Sequence, residues 1–84
     1  MLERRKPPPR EVDRRDIEGV SDPGLARALA QLPVDQRTVV VLRFHLDWSV
    51  EQVAEALGIS EGTVKSRLHR GLRRLETLLK EEAA

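Results

Sequence analysis

The stretch 49–71, SVEQVAEALGISEGTVKSRLHRG, decides the fold. Ser49 stands three residues before Gln52, the spacing at which a cap hydroxyl and a returning side chain satisfy the free N–H groups of a helix start. Trp48 before that cap and Val53 after it form a hydrophobic staple. Val50, Val53, Ala54 and Leu57 supply a short apolar face, and Gly58 provides the left-handed residue that ends a helix. Ile59 and Ser60 then repeat the device: Ser60 caps the next helix and Ile59 staples onto Val64. The second box is imperfect, because Thr63 stands where Glu or Gln would complete it. Two capped helices joined by the turn Gly58-Ile59-Ser60 make a helix-turn-helix.

The helix after Ser60 carries Val64, Leu68, Leu72, Leu75 and Leu79 in one apolar stripe. The stripe also fits a short heptad pattern, but it spans barely two heptads, so packing against the preceding helices is its expected use. Toward the N-terminus, Asp22 followed by Pro23 reads as a cap and first helical residue, with Leu25, Leu29 and Leu32 on one face. Pro33 ends that helix and opens the next, with Asp35 in its first turn. The run Val39-Val40-Val41-Leu42-Arg43-Phe44-His45-Leu46 has a β-branched triplet that suits a buried strand. No second strand exists to satisfy its backbone, so it is read as helix. Trp48 and Phe44 are both expected in the core. The expected architecture is all-α, a four-helix helix-turn-helix domain over residues 22–84 without a wing. Residues 1–21, with Pro7, Pro8 and Pro9 among charged side chains, read as a flexible Pro/Arg-rich linker.

With 84 residues there is room for one domain, and with no Cys and two dispersed His the sequence offers no disulfide and no metal site. No paired carboxylates, no nucleophile–base pair and no phosphate-cradling glycine loop are present, so neither an enzyme nor a cofactor is expected. No apolar run approaches a membrane span, and a cytoplasmic protein is expected. The net charge of +1 conceals a segregation. Residues 1–15 carry six Lys or Arg against three acids, and residues 16–60 carry three against seven. From Glu61 to Arg74 there are five basic residues (Lys65, Arg67, Arg70, Arg73 and Arg74) against one acid. A polyanion is therefore met by one helix rather than by the whole surface.

On that helix Lys65, Ser66, His69, Arg70 and Arg73 fall on the side away from the leucines. Such side chains donate to guanine O6 and N7 or to phosphate when the second helix of the motif enters the major groove. Gly62 and Thr63 lie in the first turn, where free backbone N–H groups can meet a phosphate, and Gly62 leaves room for close approach. Arg37 and Arg43 are candidates for phosphate contacts from outside the groove, with plain solvent exposure the competing reading.

Residues Leu32-Pro33 through Arg37, Val41-Leu42-Arg43-Phe44 and the whole of 49–71 resemble region four of bacterial sigma factors, most closely the extracytoplasmic-function branch. The likeness covers residues 24–81. It implies binding of the promoter −35 element, docking on the flap of the RNA polymerase β subunit, and sequestration by an anti-sigma factor. Carried over residue by residue, Lys65, Ser66, His69 and Arg70 take base-reading positions. Thr63, Arg67 and the Ser60–Gly62 cap take positions that touch phosphates or neighbouring groups. A complete sigma factor also opens and reads the −10 element, which nothing in this sequence does. An excised domain preceded by its inter-domain linker is thus expected. A single apolar stripe per helix suggests a monomer, and four or five phosphate-directed cations suggest weak, salt-sensitive DNA binding.

Two other readings share part of the pattern. A LuxR-type response-regulator domain shares Ile59-Ser60-Glu61-Gly62-Thr63-Val64-Lys65, but there the fold pairs into a two-fold dimer. The run from Ser66 to Leu75 favours the sigma side. A protein-docking module for polymerase or an anti-sigma factor is the second.

Overall fold

A computed structural model of the chain describes residues 22–83; the expected linker over 1–21 lies outside the described residues. Four helices follow in order: α1 over Pro23–Gln31, α2 over Val34–Val40, α3 over Val50–Leu57 and α4 over Glu61–Ala83. No strand occurs among the described residues. The run beginning at Val39 is helical, as expected, but α2 continues through Val41–His45 as a wider, π-helical turn. There Leu46 N–H donates to Val41 O at 3.0 Å and Trp48 N–H to Leu42 O at 2.9 Å.

The caps form where the sequence places them. The Asp22 carboxylate accepts from Gly24 and Leu25 N–H, with Pro23 at the first helical position. Ser49 and Gln52 close a complete capping box, at 3.0 Å and 2.9 Å. Pro33 precedes α2 and makes no side-chain cap, and Asp35 lies in the first turn. The Arg37 side chain supports the α1–α2 corner instead. Its guanidinium donates to the carbonyls of Leu29, Ala30 and Leu32 at 3.0–3.2 Å. These are carbonyls at the end of α1, where a cation is favoured; Leu29 O also accepts the Leu32 N–H, at 3.1 Å. Arg37 is thus engaged by the end of α1 rather than idle on the surface.

The long helix α4 packs against α1, α2 and α3. Its inward line is Val64, Leu68, Gly71, Leu75 and Leu78, all buried. This corrects the expected stripe at two places, since Leu72 and Leu79 lie 39% and 36% exposed. The cause is Gly71. A Cβ there would lie 2.9 Å from Val40 Cγ2 and 3.3 Å from Gln36 Cβ, so α2 approaches at the glycine and turns the neighbouring leucine aside. Around this seam lie Ala28, Leu29, Leu32, Val39, Val40, Val41, Leu42, Trp48 and Val53, with Leu25, Val50, Leu57 and Ile59 at its edge. Trp48 is buried as expected; Phe44 is not, and stands 57% exposed. It stands on the π-helical turn that follows α2.

Candidate nucleic-acid interface

The turn between α3 and α4 is built from two local devices. Gly58 adopts φ 70°, ψ 34°, outside the range L side chains favour. Its N–H donates to Glu55 O and the Ile59 N–H to Ala54 O at 3.1 Å, closing the end of α3 in a Schellman pattern. Ser60 Oγ then accepts the Thr63 N–H at 3.0 Å, and the Thr63 hydroxyl lies 2.9 Å from Ser60 Oγ. Thr63 thus contributes a hydroxyl–hydroxyl bond where the capping box lacks its Glu or Gln.

Beyond this cap, Lys65, Ser66, His69 and Arg70 are exposed on the first turns of α4, and Arg73 follows one turn later. At about 100° per residue these five share an arc of roughly 140°, opposite the buried line through Val64, Leu68 and Leu75. Among the described residues no ion pair engages Lys65, Arg70, Arg73 or Arg74. The structure therefore brings together the donor face that the sequence assigns. Gly62 is exposed, and a Cβ there would meet only Ser60 Oγ, at 3.8 Å. The fold leaves open space at this glycine.

Two site residues sit differently from the rest. The Arg67 side chain turns to the flank of α4 that faces the start of α2, where Nε lies 3.8 Å from Asp35 Oδ2. Arg43 stacks its guanidinium over the adjacent Phe44 ring, 5.3 Å from its centre.

Sequence reasoning missed an apolar groove of about 180 Å³ lined by Leu25, Leu29, Val40, Val41, Phe44, His45, Leu72 and Leu75. Leu29, Val40, Val41 and Leu75 are buried, whereas Phe44 and Leu72 form an exposed rim. Arg43 joins this rim through Phe44. Sequence spacing carries no signal for the groove, because it depends on how α2 and α4 approach each other at Gly71.

No described helix is long and apolar enough to cross a membrane, and no described cluster of His, Asp or Glu is placed to hold a metal ion.

A capped helix, a left-handed glycine turn and a second helix with an exposed basic face define the helix-turn-helix class of DNA-binding domains. Within that class, the family model for sigma-70, region 4 matches residues 24–75, and the chain belongs to this family. It is 49% identical over 57 residues to the ECF RNA polymerase sigma factor SigL of Mycobacterium tuberculosis, covering 68% of this chain and 32% of that one. It is 47% identical over 58 residues to the ECF RNA polymerase sigma factor SigX of Bacillus subtilis, covering 66% and 30%. The RNA polymerase sigma-E factor of Streptomyces coelicolor matches at 55% over 51 residues, covering 61% and 29%. The chain spans about a third of the length of these relatives.

Proposed function

We propose that this chain is the −35-binding domain of an extracytoplasmic-function sigma factor, holding RNA polymerase to promoter double-stranded DNA during transcription initiation. The observation that carries the reading is the donor face of α4, in which Lys65, Ser66, His69 and Arg70 stand exposed just beyond a rigidly capped turn. These four take the base edges, with Lys65 and Arg70 the strongest donors to guanine. Ser60, Gly62 and Thr63 bring the first backbone N–H groups of α4 against a phosphate. Arg43 and Arg73 add phosphate contacts from the sides, and Arg67 joins them when it leaves Asp35. The names of the relatives, all RNA polymerase sigma factors, support the same assignment.

The apolar groove supplies a second surface on the same domain. DNA is met by the first turns of α4, whereas Leu72 and Leu75 face the groove about 10 Å further along the helix axis. Both surfaces can thus be engaged together, which suits a domain that links polymerase to DNA. The groove is assigned to the β-subunit flap and, in competition with it, to an anti-sigma factor. The domain acts as a monomer in the cytoplasm and performs no catalysis. Tethering to polymerase raises the effective DNA concentration and offsets the weak affinity of so small an interface.

Selection of bound duplexes from a random library at moderate salt tests this reading. A short asymmetric site, relaxed at particular positions by Lys65→Ala or Arg70→Ala, supports it. A palindromic site points instead to a dimeric LuxR-type regulator. No enrichment, combined with capture on the β flap, points to a docking module alone.

A further inference from the structure

Arg67 is the one cation of the α4 basic run that an ion pair holds among the described residues, and its partner is 32 positions away in sequence. Asp35 Oδ1 is fixed by the Gln36 N–H at 2.9 Å, which leaves Oδ2 facing the guanidinium. Around the helix, Arg67 lies about 60° beyond Arg70, at the border between the donor face and the α2 flank. Thr63 lies one turn before it on that border and Arg74 two turns after. A DNA backbone running along this edge meets Arg67 first, with the Asp35 carboxylate behind it on the α2 side.

We infer that Asp35 is an affinity-limiting residue: its carboxylate competes with a DNA phosphate for Arg67 and holds down sequence-independent binding. The inference rests on the proposed DNA-binding role of α4. The side chains of Arg67 and Asp35 are 28% and 50% exposed, so the pair is only partly shielded and a phosphate can displace it. Arg67 then changes partner rather than gaining one, and its net contribution to DNA affinity is small in the native chain. A phosphate contact carries no sequence information, so release of Arg67 strengthens binding to all duplexes alike.

The test uses the whole chain, a duplex obtained by selection and a scrambled duplex of equal length, over a series of salt concentrations. Asp35→Asn keeps the bond to the Gln36 N–H and removes the charge. It is expected to raise affinity roughly threefold for both duplexes, within the range of an exposed pair. The slope of log affinity against log salt should steepen by up to about 0.9, because the Arg67–Asp35 pair, neutral as a unit, becomes one net cation. Arg67→Gln alone should change affinity less than twofold, far less than Lys65→Gln. In the Arg67→Gln background the gain from Asp35→Asn should vanish. A gain that survives there marks a bulk-charge effect and overturns the inference, as does an Arg67→Gln loss equal to that of Lys65→Gln. A native chain that binds neither duplex overturns the DNA-binding reading itself, and the inference with it. Thermal melting of each variant confirms that the compared chains are folded.

Discussion

Gly71 and Val40 meet so closely that a methyl group on the glycine would lie 2.9 Å from Val40 Cγ2. The contact lies where α2 and α4 cross, and it sets which leucines of α4 face inward. Gly71→Ala forces a stiff β-branched neighbour to move, at about 1–3 kcal/mol, against a helix-propensity gain of up to ~1 kcal/mol. The net expectation is a lower melting temperature, by about 4–8 °C for each kcal/mol lost in a domain of this size. Val40→Ala, destabilising by itself because Val40 is buried, should cost less in the Gly71→Ala background than in the native chain, because it removes the methyl in conflict. A double-mutant cycle followed by thermal melting checks this coupling.

Gly62 should respond in the opposite sense. Nothing but Ser60 Oγ lies within 4 Å of a Cβ there, so the fold itself gains nothing from glycine. Gly62→Ala is expected to stabilise the chain by up to about 1 kcal/mol. If backbone N–H groups of this turn approach a phosphate, the same methyl group should weaken DNA binding several-fold. A higher melting temperature with undiminished DNA affinity removes Gly62 from the interface.

Arg37 separates structure from recognition. It reaches three carbonyls at the end of α1, and charged hydrogen bonds of this kind contribute about 1.5–3 kcal/mol. Arg37→Met should cost on that order, and Arg37→Lys should recover little, because an ammonium cannot fork to carbonyls as a guanidinium does. Both variants, measured at a temperature where they are folded, should bind DNA as the native chain does. A change in the salt slope instead returns Arg37 to the phosphate backbone.

Much of the fold was legible because its punctuation is local. Asp22 with Pro23, Ser49 with Gln52, Gly58, and Ser60 with Thr63 all act within about one helical turn of themselves, so sequence spacing alone specifies them. The donor face was legible for the same reason, since helical periodicity fixes which side chains share a side. Asp35 and Arg67, or Arg37 and the α1 carbonyls, depend on how helices distant in sequence come together. The offset from Leu72 to Gly71 is of this kind too. Apolar periodicity marks a stripe but does not say that a glycine beside it admits the closest approach. Phe44 was misplaced because hydrophobicity argues for burial, whereas here it stands at the rim of a groove rather than in the core.

Phe44 supplies the last prediction. More than half of its surface meets solvent, so Phe44→Ser removes little buried area and should change stability by less than about 1 kcal/mol. Leu72, on the opposite rim of the groove, is 39% exposed, and Leu72→Ser should cost more, about 1–2 kcal/mol. The floor residues Val40, Val41 and Leu75 remain to hold α2 against α4. If the groove seats the β flap, the double variant should lose capture on a flap fragment by tenfold or more, since apolar anchors in a pocket carry most of such an interface. Its affinity for a selected duplex should stay native, because the donor face begins with Lys65, two helical turns earlier. Lys65→Ala with Arg70→Ala should give the mirror result, native flap capture with lost DNA binding. Loss of both activities in either double variant, with the variant still folded, means that the two surfaces do not act independently.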